Sequence, residues 1–206
     1  MAIGYDVNAG GIVADQRARC DGKNFLPSRS QLIPCSALGL LKRGFMVAVL
    51  FVCLGNICRS PTAEGVFRGL CESRGVGGQI RVDSAGTGDW HVGNPPDSRA
   101  VAAAARRGID LSSLRARQVR VADFREFDFV LAMDSSNFRD LALLQPQDAR
   151  AELSRWLSWA GSDAPVDVPD PYYGGDEGFE RVLDLIEDAS RGFLAHLVSS
   201  GRVALP

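Results

Sequence analysis

The apolar run at residues 47–52 constrains the fold more than any other segment of this chain. No polar side chain interrupts its six residues, and half of them are valine. Such a run is typical of a strand buried on both faces, as in a parallel sheet covered by helices. A helix is predicted directly after it, because the next apolar residues recur at helical spacing and Gly75 is placed to end the helix. These apolar residues are Ala63, Val66, Phe67, Leu70 and Cys71.

The alternation of strand and helix continues along the chain. We predict further strands at residues 80–83 and 127–133 and helices at residues 97–107 and 135–144. Residues 151–157 fit either a strand or a helix. A last helix carries one apolar stripe, formed by Phe179, Val182, Leu183, Ile186, Phe193, Leu194 and Leu197. The repeated units predict a three-layer α/β fold with a small parallel sheet of about four strands and helices on both faces.

Residues 1–45 have a different character from the rest of the chain. They show no sustained periodicity and contain scattered glycines together with Pro27 and Pro34. We expect them to form a poorly ordered N-terminal extension ahead of a single domain at residues 46–206. Met46 stands directly before the first predicted strand, so one hypothesis is that Met46 is the true start and that the preceding segment is translated upstream sequence.

The charge distribution argues against nucleic-acid binding. Residues 1–45 carry six basic and three acidic side chains, which leaves 17 basic and 22 acidic side chains in residues 46–206. A phosphate-backbone footprint needs a clustered positive field, which this acidic body lacks. The longest apolar stretch, residues 45–54, is also shorter than the roughly 20 residues that a membrane-spanning helix needs. We therefore expect no nucleic-acid partner and no membrane partner.

The cysteines favour a reducing compartment. Their number is odd, none forms a Cys-x2-Cys pair and no histidine lies nearby at zinc-ligand spacing. We therefore expect a cytoplasmic protein without a metal site. The five cysteines are Cys20, Cys35, Cys53, Cys58 and Cys71.

The segment between the first strand and the first helix, residues 53–61, carries the most informative chemistry. Gly55 and Asn56 tolerate the positive φ values that a tight loop requires, and Ser60 and Pro61 suit the N-cap and the first helical position. A strand–loop–helix of this kind directs backbone N–H groups and a helix N-terminus into one concavity. Such a concavity is a binding site for a tetrahedral oxyanion.

Two side chains turn this predicted anion site into a reactive one. Arg59 adds a two-pronged donor that matches phosphate oxygens, and the same positive field favours an ionised Cys53 at neutral pH. The alternatives are that Cys53 is a small core residue, that Arg59 is a surface ion-pair partner and that Ser60 is only a helix cap. The combined strand, loop and helix signals favour a nucleophile inside a phosphate cradle.

Phosphoryl transfer also needs a proton donor for the leaving oxygen. Because His91 and His196 are the only histidines, an aspartate or glutamate is the better candidate. Asp170 lies in the turn sequence Asp-Pro-Tyr-Tyr-Gly-Gly just before the last helix, beside Tyr172 and Tyr173. The alternative is that Asp170 only forms the turn before Pro171.

These segments together resemble the low-molecular-weight protein tyrosine phosphatase family. The resemblance rests on the sequence Val-Cys-Leu-Gly-Asn-Ile-Cys-Arg-Ser-Pro at residues 52–61 and on Asp-Pro-Tyr-Tyr at residues 170–173. Further matching pieces are residues 83–87, Trp90, residues 93–97 and residues 133–137. The similarity extends from Met46 to about Leu197, and residues 1–45 have no counterpart.

The resemblance implies a role for each matching residue. Cys53 would attack phosphorus to give a cysteinyl-phosphate, Arg59 would hold the equatorial oxygens, and Asp170 would protonate the leaving phenolate and then activate water. Ser60 would hydrogen-bond the sulfur, while Asn56, helped by Ser84, would hold the loop in shape. The remaining residues of the predicted binding site are Leu54, Gly55, Ile57, Cys58, Trp90, Tyr172 and Tyr173.

The aromatic members of this set are expected to wall a deep slot for a phosphotyrosine ring, and their alternative is plain core or rim packing. The resemblance also implies that Cys58 can trap Cys53 in a reversible disulfide under peroxide; the alternative is a purely structural Cys58. No cofactor and no metal are implied. The expected partner is a phosphotyrosine-containing protein, and the enzyme is expected to be a monomer or weak dimer.

The implied function is the hydrolysis of phosphotyrosine in proteins and of small aryl phosphates. Two other activities occur on the same fold. Thioredoxin-coupled arsenate reductases relay oxidation through cysteines further downstream, and no cysteine follows Cys71 here. Protein-arginine phosphatases typically have threonine where this chain has Ile57. A non-catalytic phosphotyrosine-binding module is a third alternative, which the presence of both Cys53 and Asp170 disfavours.

Overall fold

The computed structural model of the protein describes residues 46–206. The poorly ordered extension predicted for residues 1–45 lies outside the described residues. None of the helices in residues 46–206 combines the length and the apolar character needed to cross a lipid bilayer.

One sheet of four parallel strands organises the described chain, with the strand order β2-β1-β3-β4. The strands are β1 (Val47–Cys53), β2 (Ile80–Gly86), β3 (Phe129–Ala132) and β4 (Glu152–Arg155). β1 lies inside the sheet and pairs with β2 along its whole length, so that Cys53 is opposite Gly86. The carboxyl ends of the strands therefore meet at the edge where Cys53 ends β1.

The α-helices follow the strands in sequence. They are α1 (Arg59–Ser73), α2 (Ser98–Arg106), α3 (Asp123–Glu126), α4 (Ser135–Leu144) and α5 (Asp176–Ser199). Within residues 46–206, two short 3₁₀ helices span Gly77–Gln79 and Trp156–Trp159. Asp97 and Asp134 cap α2 and α4, because their carboxylates accept backbone N–H groups of the first turn.

Both faces of β1 are buried, and each face contributes to a separate hydrophobic core. Alternate residues starting from Val47 pack with α1, α2 and α5 on one side of the sheet. Alternate residues starting from Ala48 pack on the other side, where α3 and α4 contribute Phe124 and Leu141. The predicted three-layer α/β fold with a four-stranded parallel sheet is thus confirmed.

Some strand boundaries differ from the sequence prediction. The strand predicted at residues 80–83 continues to Gly86, because the backbone keeps pairing with β1 after the apolar pattern stops. The strand predicted at residues 127–133 shortens to β3. Residues 151–157, which fitted a strand or a helix, contain β4 and then the start of a 3₁₀ helix at Trp156.

An aromatic cluster fills the core beneath α1 and α5. The Phe67 ring packs edge-on against Phe51, with ring centroids 5.9 Å apart, and lies 6.2 Å from Trp156 and 5.5 Å from Phe193. All four side chains are fully buried. The cluster ties β1, on which the site depends, to both helices on this face.

Replacement of Phe67 by alanine is expected to lower the free energy of unfolding by about 3–5 kcal/mol, because it removes a buried ring and leaves a cavity among its neighbours. Urea denaturation followed by circular dichroism measures the change. The control is Leu143→Ala, since Leu143 is 88% exposed, and its effect should stay below about 0.5 kcal/mol. Equal denaturation midpoints for the two variants would contradict this description of the core.

Candidate active site

Residues 54–58 form the loop between β1 and α1, and Cys53 is the last residue of β1. The backbone nitrogen of Asn56 lies 3.2 Å from the Cys53 sulfur and donates to it. The hydroxyl of Ser60 lies 3.1 Å from the same sulfur. Cys53 therefore has two polar partners of the kind that stabilise a thiolate, at the floor of a cleft that it helps to line.

Asn56 fixes the shape of this loop. Its φ of 54° is the one positive value among the non-glycine residues of the described chain, and asparagine tolerates this conformation better than most residues. Its side-chain nitrogen donates to the hydroxyls of Ser60 and Ser84 at 2.9 Å each, and its oxygen accepts from the Arg117 N–H at 2.9 Å. Ser84 donates in turn to Glu64 at 2.6 Å. The side chains of Asn56 and Ser84 thus lie beneath the loop backbone in a buried hydrogen-bond network.

The predicted N-cap role of Ser60 is wrong. α1 begins at Arg59 with Cys58 at the cap position, so Ser60 and Pro61 lie inside the first turn. The Ser60 hydroxyl contacts the Cys53 sulfur instead, because the short loop brings the first turn directly onto the end of β1. Among residues 46–206, no side chain caps α1. The N–H groups of its first turn are therefore available to an anion.

Arg59 connects the loop to two carboxylates from other parts of the chain. It is only 4% exposed, and its guanidinium lies 2.5 Å from Asp134 and 3.2 Å from Asp170. Burial disfavours the Arg59 cation, but the charges of Cys53, Asp170 and Asp134 outweigh this effect and raise the pKa of Arg59. Arg59 is therefore a permanent positive charge at the base of the cleft.

Asp134 is a site residue that sequence reasoning did not single out. It follows the carboxyl end of β3, and its second oxygen accepts the Asn137 N–H at 2.7 Å to cap α4. One carboxylate thus fixes a helix end and an arginine at once. An acidic residue just after a predicted buried strand was the available signal.

Asp170 reaches the same cleft from the segment before α5. One carboxylate oxygen lies 3.2 Å from the Arg59 guanidinium, and the other accepts the Tyr172 N–H at 3.1 Å. Its side chain is 41% exposed. Asp170 is therefore accessible to a bound molecule while its two oxygens are held.

Most of the predicted site residues line one cleft of about 250 Å³. They are Cys53, Leu54, Gly55, Ile57, Cys58, Arg59, Trp90, Asp170, Tyr172 and Tyr173. The other predicted residues, Asn56, Ser60 and Ser84, are buried.

The aromatic residues of the cleft are rim residues rather than core residues. Trp90 is 68% exposed and Tyr173 is 94% exposed. The rings of Tyr172 and Tyr173 pack edge to face with centroids 5.1 Å apart. The Trp90 ring lies over Gly88, where a Cβ atom would be only 1.7 Å from the ring. The mouth of the cleft thus presents aromatic surface to solvent.

His91 also lines the cleft, although the sequence analysis did not place it there. Its ring packs so closely on the loop that a Cβ at Gly55 would lie 2.9 Å from the ring carbon Cδ2. Gly55 therefore leaves room for the His91 ring. The positive φ expected for Gly55 is wrong, because Asn56 alone makes the left-handed turn of this loop. No sequence signal indicates this packing, because Gly55 and His91 follow different strands and meet only in the folded chain.

The other two described cysteines, Cys58 and Cys71, are buried. Burial raises the pKa of Cys58 and of Cys71 to about 12, and nearby Asp97 contributes to the shift of Cys58. Both thiols are thus protonated at neutral pH. Within residues 46–206, no three or more His, Cys, Asp or Glu side chains are grouped so that they could hold a metal ion.

Residues 48–202 match the sequence profile of a family described as low molecular weight phosphotyrosine protein phosphatase. The chain is 43% identical over 152 residues to the low molecular weight protein-tyrosine-phosphatase YfkJ of Bacillus subtilis, which covers 74% of this chain and 96% of that protein. It is 45% identical over 149 residues to the low molecular weight phosphotyrosine protein phosphatase of Schizosaccharomyces pombe, with 72% and 95% covered.

Solved structures show the same similarity. The crystal structure of YfkJ from Bacillus subtilis matches with a TM-score of 0.72 at 42% identity, covering 77% of this chain and 98% of that one. A Drosophila arginine phosphatase matches with a TM-score of 0.68 at 32% identity, covering 72% of this chain and 96% of that one. Both comparisons cover nearly the whole of the related structure.

Selective alkylation is expected at Cys53. Iodoacetamide at pH 7 should label Cys53 and spare Cys58 and Cys71, because thiols with a pKa of about 12 are ionised to only about one part in 10⁵ at that pH. Peptide mapping by mass spectrometry measures each site separately. Inorganic phosphate should slow labelling of Cys53, and unfolding in urea should make all three cysteines reactive. Labelling of Cys58 as fast as Cys53 would contradict the assignment.

Proposed function

The chain belongs to the low-molecular-weight phosphotyrosine protein phosphatase family, and we propose on that basis that Cys53, Arg59 and Asp170 hydrolyse phosphotyrosine in proteins through a cysteinyl-phosphate intermediate. The protein is therefore an enzyme of the hydrolase class. The observation that carries the proposal is the contact between Arg59 and Asp170, 3.2 Å apart in the cleft that Cys53 lines. It brings a phosphate clamp, a proton donor and a nucleophile into one small volume.

The phosphate dianion binds between the loop and the first turn of α1. The backbone N–H groups and the Arg59 guanidinium hold its non-bridging oxygens. Asp134 keeps the guanidinium oriented during this exchange, since it engages the other terminal nitrogen. The incoming dianion competes with Asp170 for Arg59, and its negative charge favours the protonated carboxyl that a general acid needs.

In the first chemical step, the Cys53 thiolate attacks phosphorus and forms an S–P bond. The bond between phosphorus and the tyrosine oxygen breaks, and Asp170 transfers its proton to that oxygen. Tyrosine leaves as a neutral phenol. The step accounts for the use of an aryl substrate, since a phenol of pKa about 10 is a much better leaving group than an alcohol.

In the second step, water replaces the sulfur on phosphorus. The Asp170 carboxylate takes a proton from the attacking water, the S–P bond breaks, and inorganic phosphate is released. The sulfur leaves as a thiolate that accepts hydrogen bonds from the Asn56 N–H and the Ser60 hydroxyl. The enzyme returns to its starting state without a cofactor.

The alternative activities receive less support. The relatives at 43% and 45% identity are named as tyrosine phosphatases, whereas the arginine phosphatase is similar at 32%. Ile57 lines the cleft in place of the threonine typical of arginine phosphatases. An arsenate reductase relay would need a further reactive cysteine, and Cys71, the last in the chain, is buried.

The compartment, the substrate and the oligomeric state of the enzyme are part of the proposal. We propose a cytoplasmic enzyme whose substrate is a phosphotyrosine-containing protein and which acts as a monomer or weak dimer. The cysteine pattern supports a reducing compartment. The exposed aromatic rim at the mouth of the cleft suits a tyrosine side chain presented on a protein surface.

Replacement of the nucleophile and of the acid should have different signatures. Cys53→Ser is expected to abolish turnover of aryl phosphates. Asp170→Ala is expected to lower kcat/KM for phenyl phosphate by about 10² to 10⁴ and to affect p-nitrophenyl phosphate less, because its leaving group needs less protonation. Steady-state assays on both substrates measure this.

The control for Asp170→Ala is Asp176→Ala, which removes an exposed carboxylate at the start of α5 and should leave activity unchanged. Phosphoarginine hydrolysis and arsenate reduction with thioredoxin are assayed in parallel. Full activity in Cys53→Ser would refute the proposed nucleophile, and equal losses on both aryl phosphates would move the acid to another residue.

The proposed phosphatase domain spans residues 46–206. A protein that begins at Met46 is expected to fold and to keep the kcat/KM of the full chain, because residues 46–206 themselves supply a lined cleft and two hydrophobic cores. Activity and thermal unfolding of the two lengths measure this. Loss of folding or of activity on removal of residues 1–45 would contradict the domain assignment.

A further inference from the structure

Arg99, the second residue of α2, contacts the segment that carries Asp170. Its guanidinium donates to the Tyr172 carbonyl oxygen at 3.1 Å. The guanidinium carbon also lies 5.5 Å from the centre of the Tyr172 ring and 4.9 Å from the centre of the Phe179 ring. Arg99 thus holds Tyr172 by a hydrogen bond and by its aromatic face.

The other side of Arg99 is fixed by Asp97. The Asp97 carboxylate accepts from the backbone nitrogen of Arg99 at 2.9 Å, from Nε at 3.0 Å and from a terminal nitrogen at 2.9 Å. The backbone nitrogen of Asp97 donates in turn to the carbonyl oxygen of Ile57 at 2.8 Å. Arg99 is therefore fastened to the loop that surrounds Cys53.

The contacts form a continuous connection from Ile57 to the proposed acid. The backbone of Tyr172 is held at both of its ends, since its N–H donates to Asp170 and its carbonyl oxygen accepts from Arg99. The chain around it is otherwise exposed, from Tyr172 to Glu177. Within the described structure, Arg59 is the one side chain that hydrogen-bonds Asp170, and in the proposed mechanism it gives up that bond to hold the phosphate.

We propose that Arg99 is a positioning residue for proton transfer, which holds Tyr172, and through it Asp170, at a fixed distance from the loop around Cys53. The proposal rests on the function proposed above and adds a residue that does not line the cleft. When the phosphate displaces Asp170 from the Arg59 guanidinium, the hydrogen bond from Arg99 to Tyr172 keeps Asp170 in place. Arg99 therefore matters for protonation of the leaving group and not for phosphate binding.

The test is a double-mutant cycle between Arg99→Met and Asp170→Ala, read as kcat/KM on phenyl phosphate and on p-nitrophenyl phosphate. Because kcat/KM reports the steps up to release of the first product, it isolates protonation of the leaving group. Arg99→Met alone should lower kcat/KM about tenfold on phenyl phosphate, a part of the full effect of a general acid. On p-nitrophenyl phosphate the loss should stay below about twofold, and the inhibition constant of inorganic phosphate should not change.

The cycle separates positioning from direct action. If Arg99 acts through Asp170, Arg99→Met should cost nothing further in the Asp170→Ala background, so the two losses do not add. An equal loss in both backgrounds, or no loss in the native background, would overturn the proposal. If Asp170→Ala alone shows no dependence on the leaving group, the proposed acid fails, which is visible without any Arg99 variant.

Two further variants guard against a general structural effect. Arg106 lies on the same helix, α2, and pairs with Glu180. Arg106→Met should leave kcat/KM unchanged on phenyl phosphate and on p-nitrophenyl phosphate. Arg99→Lys keeps the charge but cannot reproduce the planar fork that bonds Asp97 and Tyr172 together. It should recover only part of the loss on phenyl phosphate. Full recovery by lysine would assign the effect to charge alone and overturn the positioning role.

Discussion

The site depends on one asparagine held in a left-handed conformation. Asn56 turns the chain back between β1 and α1, and hydrogen bonds to Ser60, Ser84 and Arg117 keep it there. The turn directs the Asn56 N–H at the Cys53 sulfur. Because these partners are largely removed from water, a lost bond would leave a polar group unsatisfied at a cost of about 1–3 kcal/mol. The shape of the phosphate cradle is therefore tied to the stability of the interior.

Arg59 gives the same cradle its charge and links it to distant segments. Asp134 from the end of β3 and Asp170 from the segment before α5 both bond its guanidinium. The two carboxylates have different consequences in the proposed mechanism. Asp134 also caps α4 and keeps its bond to Arg59. The more exposed Asp170 gives up its bond to Arg59 when the phosphate binds and then carries the proton for the leaving group. One buried cation thus organises both the resting site and its change on substrate binding.

The parallel sheet explains why such distant residues meet. In a sheet of this kind, every strand ends at the same edge, so the segments after β1, β2 and β3 converge there. The loop around Cys53, the segment with Trp90 and His91 and the turn with Asp134 each follow a different strand. Asp170 joins them by its direct bond to Arg59, and Tyr172 beside it contacts Arg99. Chemistry and specificity therefore reside in loops, while the two cores of the sheet hold the loops at fixed distances.

The sequence alone determined the fold class and the reactive segment, because both depend on short-range patterns. The apolar run before Cys53 and the spacing from Cys53 to Arg59 are local, and the resemblance on residues 52–61 and 170–173 added Asp170. Only the tertiary structure decided that Ser60 contacts the sulfur rather than capping α1, that Asp134 and His91 belong to the site, and that Arg99 and Arg117 support it. Apart from the contact of Ser60 with Cys53, these contacts join residues far apart in the chain. Their geometry depends on how the sheet and helices pack, and no periodicity or spacing encodes it.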